Sequence, residues 1–170
     1  MNQGTKIHYI FSITLLIVVM SSCFKKETYP NEPIISYDAF SISNEKANLV
    51  FNFTDGDGDI GLSDSDTIFP YDINSEFHYN LLINYYEKDD ILGWVEGKNL
   101  DGTTTVFKYR IKPIITKGKT KGIKGKIDVD MGTVFYNPLS NQNDTIKYKI
   151  QLIDKTLNKS NSIETEVIIR

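Results

Sequence analysis

The chain has 170 residues, 40% hydrophobic and 24% charged, ordinary usage for a single globular domain. Nineteen Lys+Arg against 22 Asp+Glu leave a net charge of −3, and the lack of a basic excess excludes a generic nucleic-acid binder. A single cysteine, Cys23, excludes an intrachain disulfide and any cysteine-based zinc cluster.

The N-terminus reads as an address. Lys6 is the one cation before an apolar run over 10–20, which is followed by Ser21, Ser22 and Cys23. This is the order of a secretory signal, and the run is too short for the roughly 20 residues of a spanning helix. Met20-Ser21-Ser22-Cys23 resembles the lipobox of bacterial lipoproteins. That resemblance implies cleavage after 1–22, lipidation of Cys23 and a membrane held through the lipid. Residues 23–33 then read as the lipidated cysteine and a tether, which spans roughly 30 Å if extended. The expected location is the outer membrane, with the periplasmic and surface faces both open.

From 34 to 170 the chain alternates apolar and polar residues with the period of half-buried strands. Weaker signals lie at 34–40, 91–96 and 122–130. The strong ones are 46–53 (Leu49, Phe51, Phe53), 78–87 (Leu81, Ile83, Tyr85) and 107–112 (Phe107, Tyr109, Ile111), then 145–153 (Ile146, Tyr148, Ile150, Leu152) and 163–169. Seven or eight short strands separated by polar turns predict one all-β sandwich domain over 34–170.

Two loops stand out, Asp-rich 54–66 and 112–126 with six lysines. The stretch Phe53-Thr54-Asp55-Gly56-Asp57-Gly58-Asp59-Ile60-Gly61-Leu62 resembles the F-x-DGDGDIG signature of bacteroidete lipoproteins of unknown function. The stretch from Ile153 to Asn161, followed by Glu164-Thr165, resembles their closing hairpin, with Lys155 and Thr156 where Arg and Ala are usual there. The resemblance implies an immunoglobulin- or fibronectin-III-like sandwich and no particular activity. Tyr148, early in its strand, is similar to the tyrosine corner of such folds.

Carboxylates at alternate positions on a tight loop can converge on one hard cation. Calcium takes roughly 6–8 oxygen ligands, and Asp55, Asp57 and Asp59 have the D-x-D-x-D spacing of calcium loops. The match to an EF-hand stops there, because Ile60 and Asp66 stand where that loop has Gly and Glu. The expectation is a calcium loop on a β scaffold, with Asp64 and Asp66 as further ligands; a solvated acidic turn is the plainer alternative. In sandwich topology 54–66 is the B–C loop and Asp154 opens the F–G loop at the same end, which makes Asp154 the first distant ligand and Glu32 the second.

Lys119 and Lys121 are candidates for an anionic ligand, and solvated lysines guarding an edge strand are the alternative. Trp94 is a candidate for stacking on a sugar, and core or cross-strand packing is the alternative. After removal of the signal, His78 is the one histidine, and no G-x-S-x-G, H-E-x-x-H or P-loop is present. The expected protein is therefore a non-catalytic envelope module stabilised by calcium, with an envelope-protein or glycan partner; an accessory glycan-binding lipoprotein is the second expectation.

Overall fold

A computed structural model describes residues 27–114 and 122–170. The signal segment 1–22, Cys23, Lys119 and Lys121 lie outside the described residues. The strands are β1 (Ile34–Ser43), β2 (Lys46–Asp55), β3 (Leu81–Asp89), β4 (Gly93–Glu96), β5 (Val106–Tyr109), β6 (Ile123–Gly132), β7 (Thr145–Leu152), β8 (Ile163–Glu164) and β9 (Ile168–Ile169). They form two antiparallel sheets, one ordered β1-β2-β6 and the other β4-β3-β7-β8, with β5 also on β3 and β9 also on β7. This is the expected immunoglobulin/fibronectin-III-like β-sandwich, with β1, β2 and β6 in positions A, B and E and β3, β7 and β8–β9 in C, F and G.

The period-2 pattern decides which face is buried. Leu49, Phe51 and Phe53 of β2 point inward, as do Leu81, Ile83 and Tyr85 of β3 and Ile146, Tyr148, Ile150 and Leu152 of β7. Tyr85 and Tyr148 are paired across β3 and β7, their ring centroids 5.9 Å apart, and Phe40 packs on Tyr148 from the opposite sheet at 5.4 Å. A fully buried phenyl side chain such as Phe51 contributes about 1.5–3 kcal/mol by leaving water. The buried Tyr148 hydroxyl donates to the Phe135 carbonyl in the β6–β7 connection, the role expected of a tyrosine corner.

Strand boundaries differ from expectation where local chemistry intervenes. Ser75 caps a 3-10 turn over Glu76–His78, its Oγ accepting from the Phe77 amide at 3.0 Å, so β3 starts at Leu81 rather than 78. β4 and β5 both pair with the same edge of β3, making one strand interrupted by an excursion over 97–105. The Gly97 amide donates to the Tyr85 carbonyl and the Tyr85 amide to the Thr105 carbonyl, which closes the excursion at its base. The run 163–169 splits at Thr165. There the Thr165 Oγ1 accepts from the Tyr148 amide at 3.1 Å, replacing a ladder bond with a side chain.

β1 begins beside the end of β2, with Ile34 opposite Thr54. The 54–66 loop leaves from that end of β2, and the β7–β8 connection starts at the same end of the sandwich.

Candidate metal centre

The alternation of β2 continues to its last residue, so Asp55 occupies an inward position and is 0% exposed. Its Oδ2 accepts from the Gly58 amide at 2.8 Å and the Asp59 amide at 3.0 Å, folding the loop back over the end of the strand. Gly58 has φ +77°, a conformation that glycine adopts without the cost of a Cβ. The other oxygen of Asp55 is buried and has no donor, and the same holds for Oδ1 of Asp57 and Oδ1 of Asp59.

Asp154 arrives from the β7–β8 loop, which fixes its orientation. Its Oδ1 accepts from the Asn158 amide at 2.8 Å and the Thr156 hydroxyl at 3.2 Å, and its Oδ2 from Asn158 Nδ2 at 2.8 Å. The Lys155 amide donates to the Asp59 carbonyl at 3.2 Å and ties the two loops together. One carboxylate oxygen from each of Asp55, Asp57, Asp59 and Asp154 lies within 4.8 Å of the others.

Among the described residues, no lysine or arginine forms an ion pair with any of the four. Burial first, and then the charge of Asp57, pushes the Asp55 carboxyl up to about 6. Burial and then the charge of Asp154 raise Asp59. A buried acceptor without a partner costs about 1–3 kcal/mol, and three of them share this pocket of like charge. A cation answers both costs at once. The donors are all hard oxygens, which suit calcium or magnesium over softer metals. Two oxygens on one calcium at roughly 2.3–2.6 Å can stand as much as about 5 Å apart, a span that accommodates this group.

Asp64 and Asp66, expected as further ligands, lie elsewhere. Ile60 and Leu62 are buried and Gly61 turns the chain at φ +110°. The Leu62 amide then donates to the Ile111 carbonyl at 2.8 Å, which pins the second half of the loop to the segment after β5. There Asp66 accepts from the Ser63 amide (2.8 Å), the Ser63 hydroxyl (2.9 Å) and Lys155 Nζ (3.0 and 3.1 Å). Lys155 first, and then Ser63, draw its carboxyl down to about 2. Asp64 pairs in the open with Lys112 at 2.8 Å. Glu32, the second distant candidate, is exposed and outside the cluster.

Several partners in this region carry no motif in the sequence. Arg110 donates from Nη2 to the carbonyls of Ser63 (3.0 Å) and Asp66 (2.6 Å), and Lys155 neutralises Asp66. Neither has a spacing that announces it, since both contacts join distant parts of the chain. The segment before β1 also takes part. A Cβ on Gly56 would fall 2.3 Å from the Tyr29 carbonyl oxygen and 2.5 Å from that of Pro30, so the segment leading into β1 crosses directly over the loop. The glycine between Asp55 and Asp57 was the available signal.

Trp94 sits on β4 with Lys147 Nζ 4.9 Å and Lys88 Nζ 5.5 Å from its ring centroid. No protein-family model, curated protein or solved structure matches this chain.

Proposed function

We propose that this protein is a lipid-anchored, non-catalytic module of the bacterial cell envelope whose sandwich is closed at one end by calcium. One observation carries the calcium: three carboxylate oxygens, on Asp55, Asp57 and Asp59, are buried without any hydrogen-bond donor in a cluster completed by Asp154. Such a site stabilises the fold because the ion binds the assembled loops and not the open chain. The clip joins the B–C loop to the F–G loop, with the tether lying across it.

The anchor rests on the apolar run before Met20-Ser21-Ser22-Cys23. The non-catalytic reading rests on the convergence of the four acids, whose oxygens lie within 4.8 Å of one another. Acid–base chemistry of the glycosidase kind requires instead two carboxyls held roughly 5–10 Å apart across a cleft. Sugar stacking at Trp94 has less support, since two ammonium groups already lie over its ring.

Calorimetric titration of the full chain in detergent with calcium tests the ion, with Asp57→Asn as the control. Heat of binding in the wild type that vanishes in the variant is the expected result; no binding at millimolar calcium would overturn the reading. Metabolic labelling with a fatty acid, lost in Cys23→Ser, tests the anchor.

A further inference from the structure

An edge strand presents a row of N–H and C=O groups that can pair with another chain, and folded proteins blunt such edges. Three of the four edges of this sandwich are blunted. β1 carries a bulge between Tyr37 and Ala39, and the Asn161 side chain takes both the amide and the carbonyl of Ile35, at 2.8 and 2.9 Å. The edge made by β4 and β5 is cut into two pieces of four residues, and that made by β8 and β9 into two pieces of two. β6 differs. It is ten residues long, has no proline, and runs in unbroken register against β2 from Ile123 to Asp130. Among the described residues, no backbone group satisfies its outer side.

The solvent face of β6 carries Lys124, Lys126, Asp128 and Asp130, all exposed, while Ile123, Ile127, Val129 and Met131 face the core. An edge guarded by charge alone would carry one sign and repel its own copy. This one carries two signs, inverted about Ile127. We propose that β6 pairs antiparallel with β6 of a second copy of this chain, about a two-fold axis at Ile127, fusing two three-stranded sheets into one of six.

In that register Lys124 stands opposite Asp130 of the partner subunit, and Lys126 opposite Asp128 of the partner subunit. The two-fold axis repeats both pairs, as an isologous contact requires. Other registers are penalised. A parallel in-register pairing sets lysine against lysine, and moving the axis to position 128 sets Asp128 against its own copy. Asp128 and Asp130 have no cationic partner among the described residues. The lysines now reach Glu27 (2.6 Å) and Asp38 (2.8 Å), pairs with lysine side chains 62% and 60% exposed that solvent screens and a second copy can replace. A contact of one strand is small, so the association is weak and sensitive to salt. It does not depend on the metal reading.

The test is sedimentation equilibrium of the full chain in density-matched detergent, in calcium and again in chelator. The wild type is expected to show a concentration-dependent monomer–dimer equilibrium. Asp128→Lys with Asp130→Lys makes the edge wholly basic, and Lys124→Asp with Lys126→Asp makes it wholly acidic. Each double variant is expected to weaken self-association by roughly tenfold or more, while an equimolar mixture of the two recovers a dimer. These positions face solvent, and thermal melting of each variant verifies that it is folded. A wild type that stays monomeric over the accessible range overturns the proposal. So does a dimer whose strength neither double variant changes.

Discussion

Two groups of aspartates leave the same loop and meet opposite fates. Asp55, Asp57 and Asp59 turn inward with Asp154, find no cation among the described residues, and Asp55 is pushed up to about 6. Asp64 and Asp66 turn outward, each meets a lysine, and Asp66 is drawn down to about 2. All five loop acids lie within twelve residues of sequence. What separates them is burial and the nearest positive charge, neither of which a count of acids reveals. The first group is an incomplete electrostatic arrangement that an ion would complete. The second is complete as it stands.

The comparison breaks most sharply in calcium. An ion present at about 100 times its dissociation constant adds about 2.7 kcal/mol to the stability of the folded state. For a domain of this size that raises the melting midpoint by roughly 5–10 °C. Scanning calorimetry of Asp57→Asn is expected to show that increment gone. In chelator the same variant should melt at or slightly above the wild type, because one of four crowded charges has been removed. Equal losses in calcium and chelator would make Asp57 an ordinary structural residue.

Acidity gives the second contrast. The folded carboxyl of Asp55 lies above its unfolded value, so its ionisation costs stability in full above about pH 6 and nothing below about pH 4, and the raised carboxyl of Asp59 acts in the same direction. In chelator the midpoint should therefore rise as pH falls from 7 toward 5. In calcium it should change little over the same interval, so the increment due to the ion shrinks as protons compete for Asp55. Asp66 has the reverse sign: its contribution is present above about pH 4 and is lost as pH falls toward 2. Melting curves at stepped pH, with and without chelator, separate the two groups in one series.

Much of the sandwich was legible because a half-buried strand writes its inward face at every second residue. Leu49, Phe51 and Phe53, and Ile146 through Leu152, announced β2 and β7 in this way. The misreadings sit where a side chain stands in for backbone, as at Thr165, or where a capped turn delays a strand, as at Ser75. The D-x-D-x-D spacing and the sandwich topology together pointed to Asp55, Asp57, Asp59 and Asp154, the four acids that the fold brings into one cluster. Asp64 and Asp66 fall outside that cluster because the turn at Gly61 and the bond from Leu62 to Ile111 redirect the loop, and the segment after β5 that holds it lies about 50 residues away.

Gly56 offers a third test. Its Cβ position is filled by the Tyr29 and Pro30 backbone, so Gly56→Ala should lift the tether off the loop at a cost of about 1–3 kcal/mol. Hydrogen exchange is expected to show faster exchange at the amides of Asn31, Glu32, Ile34 and Ile35 in this variant. If calcium affinity is unchanged, the tether covers the site without building it; if affinity falls with the protection, the tether is part of the clip.

The smallest effects belong to the outward pair, and their ranking sharpens what separates it from the inward group. Asp66 accepts two bonds from Ser63 as well as the charge of Lys155, and its side chain is 16% exposed. Asp64 makes one lysine contact with both side chains more than 70% exposed. Asp66→Asn is expected to cost about 1 kcal/mol, equally in calcium and chelator, since neutralising it weakens its bonds to both Ser63 and Lys155. Asp64→Asn is expected to leave stability unchanged within measurement error, because a solvated pair repays little of the order it requires. Chemical denaturation of both variants under both conditions checks this. A calcium-dependent difference at either residue would mean that the outward half of the loop shares the ion after all.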